Sequence, residues 1–506
     1  MYSYRTARTV CLITLLILAG QISAVLGDTM TGITGGNAPV ENRQPTLATR
    51  YMIALQGIFP DNAGSTPTQT FPPNRVQPFL CEIKAVPFDF VPSGWALCEG
   101  QALLINQNAA LFSLIGTTYG GDGVSTFNLP DLRGRVPMGA GQGSGLPDYQ
   151  LGDSVGTANP VLSVANLPGH IHTVGASNTG ATGSGAPLDN RQPSLALHFL
   201  LAANGEIMIV PWSRQPTGWT RCEGRLLTVA DHGYLFAHIG TTYGGDGVAN
   251  FALPDLRGRV PIGDDGGNFW PLGLMYGSND IVLSVADIPA HTHTISGGAT
   301  GPTGGTGNIA NNFQPSLVLR WVISFGGFYP VSGGAVSFPM LGEMRLIAGP
   351  AADGLPGSQW KLLNGVLYGI GANADLFSLI GTTYGGDGQS NFAVPDLRAR
   401  VDAGASGSLA FSSIVGSPTL DISVAQLAAH AHWLLQLRIS AIQHFGNGSA
   451  QISLIGTTGE TCTVDRSDNL ATWSTLGTVQ LTGGTGMITD PNPTQIPRRF
   501  YKAYFP

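Results

Sequence analysis

The sequence contains three His-x-His pairs, in "LPGHIHT" (167–173), "IPAHTHT" (288–294) and "LAAHAHW" (427–433). They use six of the ten histidines of the chain. In an extended segment, residues i and i+2 point to the same side, so both imidazoles of a pair can face one point and act as a bidentate metal ligand. The alternative is that the pairs are exposed histidines that bind no metal. The candidate metal ligands are His170, His172, His291, His293, His430 and His432.

An internal repeat places these pairs. The stretch "LFSLIGTTYGGDGVSTFNLPDLRGRVPMG" (111–139) recurs as "LFAHIGTTYGGDGVANFALPDLRGRVPIG" (235–263) and "LFSLIGTTYGGDGQSNFAVPDLRARVDAG" (376–404). Each stretch follows a Trp-containing segment and, further upstream, apolar runs of strand-forming residues that start at a Gln-Pro. A repeated unit of this size indicates one structural module used three times.

The repeat and its flanks predict five segments. Arg5 and Arg8 precede the apolar run "VCLITLLILAG" and small residues follow it, which is typical of an export signal peptide. The Gly/Thr-rich joins at 175–189 and 296–310 are expected to be exposed loops or flexible linkers. The predicted bounds are 1–27 for the signal peptide, 41–174 for copy 1, 189–295 for copy 2, 311–433 for copy 3 and 434–506 for a C-terminal module.

Composition narrows the class of protein. Charged residues make up 11% of the chain, and 71 Gly with 34 Pro favour turns and extended segments over helix. A net charge of -7 without a basic stripe argues against a nucleic-acid partner. After the signal peptide, no stretch is long and apolar enough to span a membrane. We therefore expect a secreted or cell-surface protein.

Within a copy, "QNAALFSLIG" (107–116) predicts one short helix that ends at a glycine. In the turn "TTYGGDG", Gly120, Gly121 and Gly123 are expected to take positive φ angles while Asp122 caps the turn. No Lys-Ser/Thr follows these glycines, so a phosphate-binding loop is disfavoured. The motif "LPDLRGR" predicts a structural ion pair and not a catalytic acid, because no second carboxylate or nucleophile recurs beside it. The tryptophans expected to anchor the core are Trp95, Trp219 and Trp360.

Four cysteines follow the signal peptide: Cys81, Cys98, Cys222 and Cys462. An oxidising compartment allows three pairings. Only Cys81 with Cys98 is a plausible disulfide, because both belong to candidate strands of one copy, and the sequence leaves open whether they pair.

Four motifs recur through the copies: "GW-x-x-C-x-G", "LF-x-x-IGTTYGGDG", "F-x-LPDLRGRVP" and "LP-x-H-x-HT". They resemble the phage tail collar domain, which occurs in short tail fibres of tailed phages and in bacterial secreted proteins of the microcystin-dependent protein type. In tail-fibre relatives three chains intertwine and their His-x-His pairs meet on the threefold axis around a metal ion. Copy 3 departs from the motifs with "LRARVD", Leu363 and Trp433. The resemblance therefore supports the ion pair and the metal-binding histidine pair less strongly in copy 3 than in copies 1 and 2.

The resemblance implies a mainly β fold with a short helix per repeat. We expect the three copies to form an intramolecular pseudo-trimer around one ion; the alternative is three separate beads, each needing two partner chains. Six nitrogen ligands suit octahedral iron(II) or nickel(II) better than zinc, which remains possible. A filled coordination shell leaves no place for water or substrate, so the metal would be structural.

The last segment contains short β-type runs and the stretch "SDNLATW" (467–473). It resembles the small C-terminal β-sandwich modules, with an S-D-x-L-x-x-W signature, of secreted proteins from Verrucomicrobia and Planctomycetes. Sorting, surface attachment and capping all remain open as its role.

These observations favour an exported, non-enzymatic structural or adhesive protein whose exposed loops bind a surface glycan or protein. An appendage or tail-fibre-like subunit is the alternative. A secreted metal-dependent hydrolase is disfavoured because the sequence has no Gly-x-Ser-x-Gly, no His-Glu-x-x-His and no recurring carboxylate pair. The protein is expected to be a monomer if the pseudo-trimer forms.

Overall fold

Each copy begins with a nine-residue strand, which we call the lead strand. The computed structural model describes residues 31–61, 77–174, 177–266, 269–295, 298–309, 312–331, 339–349, 359–432, 438–445, 449–456, 461–482, 485–491 and 499–504. The predicted signal peptide at 1–27 and Trp433 lie outside these residues. The lead strands are Thr46–Ala54, Ser194–Ala202 and Ser316–Ser324.

Two further strands flank each lead strand and pair with it in antiparallel fashion. The return strands are Ile83–Val86, Glu206–Val210 and Met344–Ile347. The Trp strands are Trp95–Leu97, Trp219–Arg221 and Trp360–Leu362. All three first-position tryptophans are buried, as predicted, and lie in the hydrophobic core. These strands are rich in apolar β-branched and aromatic residues, which favour β structure and burial on both faces of a sheet.

The predicted helix is present in every copy. The helices are Ala109–Ile115, Gly233–Ile239 and Ala374–Ile380, and each ends at a glycine with φ between 53° and 55°. Hairpins enclose them, formed by Ala102–Leu104 with Thr126–Asn128, Leu226–Thr228 with Asn250–Ala252, and Leu367–Gly369 with Asn391–Ala393. The Asp122 carboxylate accepts three backbone N–H groups of the turn at 2.7–2.9 Å, as expected of a cap. The chain is therefore mainly β with one short helix per copy.

The exit strand that follows "LPDLRGR" leaves its own copy. The exit strands are Val136–Gly139, Val260–Gly263 and Val401–Gly404. The exit strand of copy 1 pairs with the lead strand of copy 2, and the exit strand of copy 2 pairs with the lead strand of copy 3. The exit strand of copy 3 pairs with the lead strand of copy 1, and all three pairings are parallel. The three copies thus follow one another in a closed cycle of strand exchange.

Close approach at the end of each exit strand requires glycine. A Cβ on Gly139 would lie 2.0 Å from the Leu256 carbonyl oxygen, and one on Gly404 would lie 2.1 Å from that of Leu132. A buried glutamine ring reinforces the contact between copies: the backbone N–H groups of Gln44, Gln192 and Gln314 donate to the side-chain carbonyls of Gln192, Gln314 and Gln44 at 3.2, 3.0 and 2.9 Å. Backbone fit and polar satisfaction therefore both depend on all three copies.

Cys81 and Cys98 do not pair, so the plausible disulfide was wrong. Both are buried free thiols, as are Cys222 and Cys462. Cys81 precedes the return strand and Cys98 follows the Trp strand, and these two strands lie on opposite sides of the copy 1 lead strand. Strands two apart in a sheet are about 9–10 Å from each other, whereas a disulfide needs Cα atoms within about 7 Å.

Beyond the copies, two three-stranded antiparallel sheets share one hydrophobic cluster. Their strands are Arg438–His444, Ala450–Ile455, Thr461–Ser467, Ser474–Gln480, Thr485–Asp490 and Phe500–Tyr504. The buried Asp490 carboxylate accepts hydrogen bonds from Arg466, Arg499 and Tyr501 at 2.7–3.0 Å and ties both sheets together. The C-terminal segment therefore has its own core.

One buried carboxyl distinguishes copy 3. Asp402 stands where the other exit strands have Pro137 and Pro261, and it is 2% exposed. Thr49 donates to one of its oxygens at 2.6 Å, whereas the other oxygen has no hydrogen-bond partner among the described residues. Burial raises the pKa of Asp402 to about 7, despite the hydrogen bonds from Thr49 and Tyr51.

This pKa predicts that the contribution of Asp402 to stability falls as pH rises. Between about pH 4 and pH 7 the unfolded chain ionises Asp402 while the folded chain keeps it protonated, so its favourable contribution below pH 4 is lost by pH 7. Buried histidines with a lowered pKa contribute in the opposite direction, and equally in wild type and variant. Asp402→Asn, which stays neutral, should therefore gain stability relative to the wild type between pH 4 and pH 7. Urea denaturation of both proteins between pH 4 and 8 checks the prediction, and a stability difference that is constant with pH would contradict it.

Candidate metal centre

The six histidines meet at one place. Each His-x-His segment follows a short 3₁₀ turn, at Val164–Asn166, Val285–Asp287 and Val424–Gln426. The apolar residue of the lead-in packs into a cluster drawn from all three copies, which includes Leu167, Ile288 and Leu427. That packing explains the recurring lead-in and holds the segments against one another. All six imidazoles are at most 4% exposed.

The arrangement of the rings is octahedral. Twelve pairs among the six have ring centroids 4.7–5.5 Å apart, so that each ring touches four others. Among these six described residues, the pairs not in ring contact are His170 with His293, His172 with His430, and His291 with His432. Twelve contacts and three opposed pairs are the edges and axes of an octahedron.

Backbone carbonyls fix the protonation of every ring. The first histidine of each pair, at 170, 291 and 430, has Nδ1 at 2.8–3.0 Å from the carbonyl oxygen two residues earlier. The second, at 172, 293 and 432, has Nδ1 at 2.9 Å from the carbonyl of Gly301, Gly32 or Gly180. A carbonyl only accepts, so each Nδ1 carries the proton and each Nε2 presents a lone pair.

The Nε2 atoms face one another. His430 Nε2 lies 3.2 Å from His170 Nε2 and 3.3 Å from His291 Nε2. The Nε2 atoms of His172, His293 and His432 are buried with no hydrogen-bond partner in the described part of the chain. Lone pairs at this distance repel, and buried nitrogens without a partner are costly. Neighbouring ligands of an octahedral ion with bonds of about 2.1 Å lie about 3.0 Å apart, so the nitrogens fit one such cation.

Five of the six histidines have a lowered pKa, which favours the neutral ring. Burial lowers the pKa of His291, His293 and His430 to about 4, and that of His432 to about 3, with the neighbouring imidazoles adding to the effect. Burial also lowers the pKa of His172. Neutral imidazole is the metal-binding form, so the pocket keeps its ligands ready without competition from protons.

A second repeated motif, which was not predicted as functional, orients the second histidine of each pair. The motif Thr-Gly-x-Thr-Gly occurs at 31–35, 179–183 and 300–304, once ahead of each copy. Its first threonine accepts the backbone N–H of His432, His172 or His293 at 2.9–3.0 Å. Its glycine carbonyl then accepts Nδ1–H from a histidine of another copy. Each motif therefore joins two His-x-His segments, and its threefold repetition was the available signal.

The prediction that the Gly/Thr-rich joins are exposed loops or flexible linkers was therefore wrong for their central parts. Thr179 and Thr300 are 2% and 4% exposed, and the short strands Ser177–Asn178 and Gly298–Ala299 pair with Thr173–Val174 and Thr294–Ile295. The histidine segments leave backbone N–H groups that need acceptors inside the protein, and the joins supply them.

The other sequence candidates take structural places. The Asp131 carboxylate binds Arg133 at 2.9 Å and Arg135 at 3.2 Å, and Asp396 binds Arg398 and Arg400 in the same way at 2.8 and 3.4 Å. Copy 3 thus keeps the ion pair although Ala399, with φ of 53°, replaces glycine. Within the described residues, no helix combines the length and apolar character needed to cross a membrane.

Comparison with known families agrees with the repeat. The family described as Phage Tail Collar Domain matches residues 81–137, 205–261 and 342–402, which lie in copies 1, 2 and 3. The chain therefore carries three tandem matches to this domain, as its motifs indicated. The matched segments end before the His-x-His pairs and before the C-terminal segment. Searches of curated proteins and of solved structures gave no significant match.

The threonine contacts predict a stability cost. Thr179→Val removes the acceptor of the buried His172 N–H and keeps the side-chain shape. The free energy of unfolding should therefore fall by about 1–3 kcal/mol. Ser184→Ala is the control, because that exposed hydroxyl donates to Ala165 within the same join and its loss should cost less than about 0.5 kcal/mol. Urea denaturation measures both, and equal costs would contradict the assignment.

Proposed function

We propose that the protein is a non-enzymatic structural protein, similar to a tail fibre, in which one polypeptide forms a pseudo-trimer locked by a metal ion. The observation that carries this proposal is the octahedral set of six inward Nε2 atoms contributed equally by three copies. The ligands would be His170, His172, His291, His293, His430 and His432.

The donor set limits the chemistry. Six neutral imidazoles favour iron(II) or nickel(II), with zinc less suited because it usually takes four ligands. All six sites of the octahedron are taken by protein nitrogens, so bound water and substrate are excluded from the first shell. The metal therefore stabilises the fold and does no chemistry.

A buried ion network supports assembly within one chain. Lys84 lies 2.8 Å from Glu82 and 2.7 Å from Glu343, where the return strands of the copies meet. Arg345 pairs with Glu343 and lies 2.9 Å from Glu206. Copy 2 has Met208 at the position of Lys84 and Arg345. A trimer of three chains identical to copy 2 would bury three glutamates with no cation, and the desolvation cost would prevent its assembly. The copies are therefore not interchangeable.

We further propose export to the cell surface or medium, from the signal-like residues 1–27, and an adhesive role for exposed segments towards glycan or protein. Assembly into an extracellular appendage is the second candidate. It is favoured by the three matches to the Phage Tail Collar Domain family.

The metal proposal predicts one iron or nickel ion per chain, in a particle with the mass of one chain. Replacing His172 and His432 by alanine should abolish binding, whereas His198→Gln, a histidine outside the cluster, should not. Chelator should lower the melting temperature, because a ligand present at 1,000 times its Kd adds about 4 kcal/mol of stability. Elemental analysis, light scattering and calorimetry measure these quantities. Folded, metal-free protein whose melting temperature does not change with chelator would refute the metal proposal. A particle with the mass of three chains would refute the pseudo-trimer.

The ion network predicts a large and specific loss. Lys84→Met leaves two fully buried glutamates short of one cation, so the free energy of unfolding should fall by about 3–5 kcal/mol. Lys361→Met, at an exposed lysine, is the matched control and should change little. Chemical denaturation at pH 7 compares them. If the two variants unfold alike, the network does not hold the copies together.

A further inference from the structure

A cavity lies between copies 2 and 3. It has a volume of about 140 Å³ and is lined by Gly263–Gly266 from copy 2 and by residues of copy 3 that include Arg320, Trp321, Asn364 and Arg398. The corresponding places at the other two junctions have volumes of about 10 Å³ each. Since about 30 Å³ holds one water, the larger cavity has room for several waters or one small ring, and it is too small for a drug-sized ligand.

A buried donor lines this cavity. Trp321 is 4% exposed, and its indole N–H has no hydrogen-bond partner among the described residues. The same position of the lead strand holds Tyr51 in copy 1, whose hydroxyl donates to the Asp402 carbonyl at 3.3 Å, and the apolar Phe199 in copy 2. Trp321 thus brings to this junction a buried N–H without a partner in the described part of the chain, and an acceptor in the cavity would satisfy it.

Both guanidinium groups of the wall are already paired. Arg320 holds Asp264 through contacts of 2.6–3.2 Å, and both side chains are largely buried. Arg398 holds Asp396 at 2.8 and 2.9 Å. Asn364 stands where copies 1 and 2 have Glu99 and Glu223, so the wall gains an uncharged amide that both donates and accepts. An anionic ligand would find its counter-ions taken.

The lining combines polar groups with apolar side chains. Asp264, Asn364 and Trp321 supply carboxylate, amide and indole groups, and Leu362, Leu363 and Leu397 supply apolar surface. Such a lining matches a ring that carries several hydroxyl groups and an apolar face.

We propose that this cavity binds a single uncharged sugar ring. The ring would accept from Trp321 Nε1–H, exchange hydrogen bonds with the Asn364 amide and donate a hydroxyl to the Asp264 carboxylate. The inference deepens the adhesive role proposed above by naming a ligand class and a site, and it does not depend on the metal centre.

The test uses the full purified chain and D-glucose, D-galactose, D-mannose and N-acetylglucosamine as probes. Saturation-transfer NMR and tryptophan fluorescence titrations should give saturable binding for at least one of them, in the millimolar range. D-glucuronate, which carries a negative charge, should bind at least tenfold more weakly. No saturable binding of any neutral sugar, or equal binding of glucuronate, would overturn the proposal.

Variants place the ligand in the cavity. Trp321→Phe removes only the N–H, and Asn364→Glu restores the residue of the other copies at a half-buried position; each should weaken binding at least tenfold. Tyr51→Phe, the equivalent change in copy 1, should leave binding unchanged. Binding that survives both cavity variants would place the sugar elsewhere and sink the proposal. Metal content measured on the same samples separates this outcome from a failure of the metal proposal.

Discussion

The parallel exchange of exit strands between copies is the constraint on which the rest of the structure depends. A strand that leaves its own copy presents unpaired backbone groups until a neighbour accepts it. Copies 1 and 2 can pass their exit strands forward along the chain, but copy 3 has no successor. Its strand Val401–Gly404 returns to Thr46–Thr49, so the cycle closes within one molecule. Closure brings equivalent points of the copies together, which is why the His-x-His segments meet.

Covalent linkage changes the energetics of such a site. Three separate chains lose translational and rotational freedom when they assemble, whereas copies joined in one chain meet at a high effective concentration. The Thr-Gly-x-Thr-Gly segment at 31–35 completes the arrangement: it lies at the opposite end of the chain from the His430–His432 segment, yet it hydrogen bonds with it. The six histidines are therefore oriented by backbone contacts without a metal ion.

Much of this could be predicted from the sequence, because the repeated signals are local. The helix, the capped turn, the ion pair and the six histidines that could bind a metal follow from short motifs whose physics is complete within a few residues. The strand exchange, the role of the joins and the free state of Cys81 could not be predicted, because they depend on which copy lies beside which. Low-complexity Gly/Thr sequence predicts a linker by composition, and only the fold reveals that Thr179 and Gly180 serve histidines of two copies.

Symmetry is kept and broken for different physical reasons in this chain. The six histidines recur unchanged, and the glutamine ring needs three identical partners to close. The buried charge network is not symmetric: three identical chains would place either three cations or none beside the three glutamates, whereas this chain places two cations there. A single polypeptide can place Lys84, Met208 and Arg345 at equivalent positions around three glutamates. Joining the copies thus permits buried electrostatics, and a one-sided cavity, that no assembly of identical chains can build.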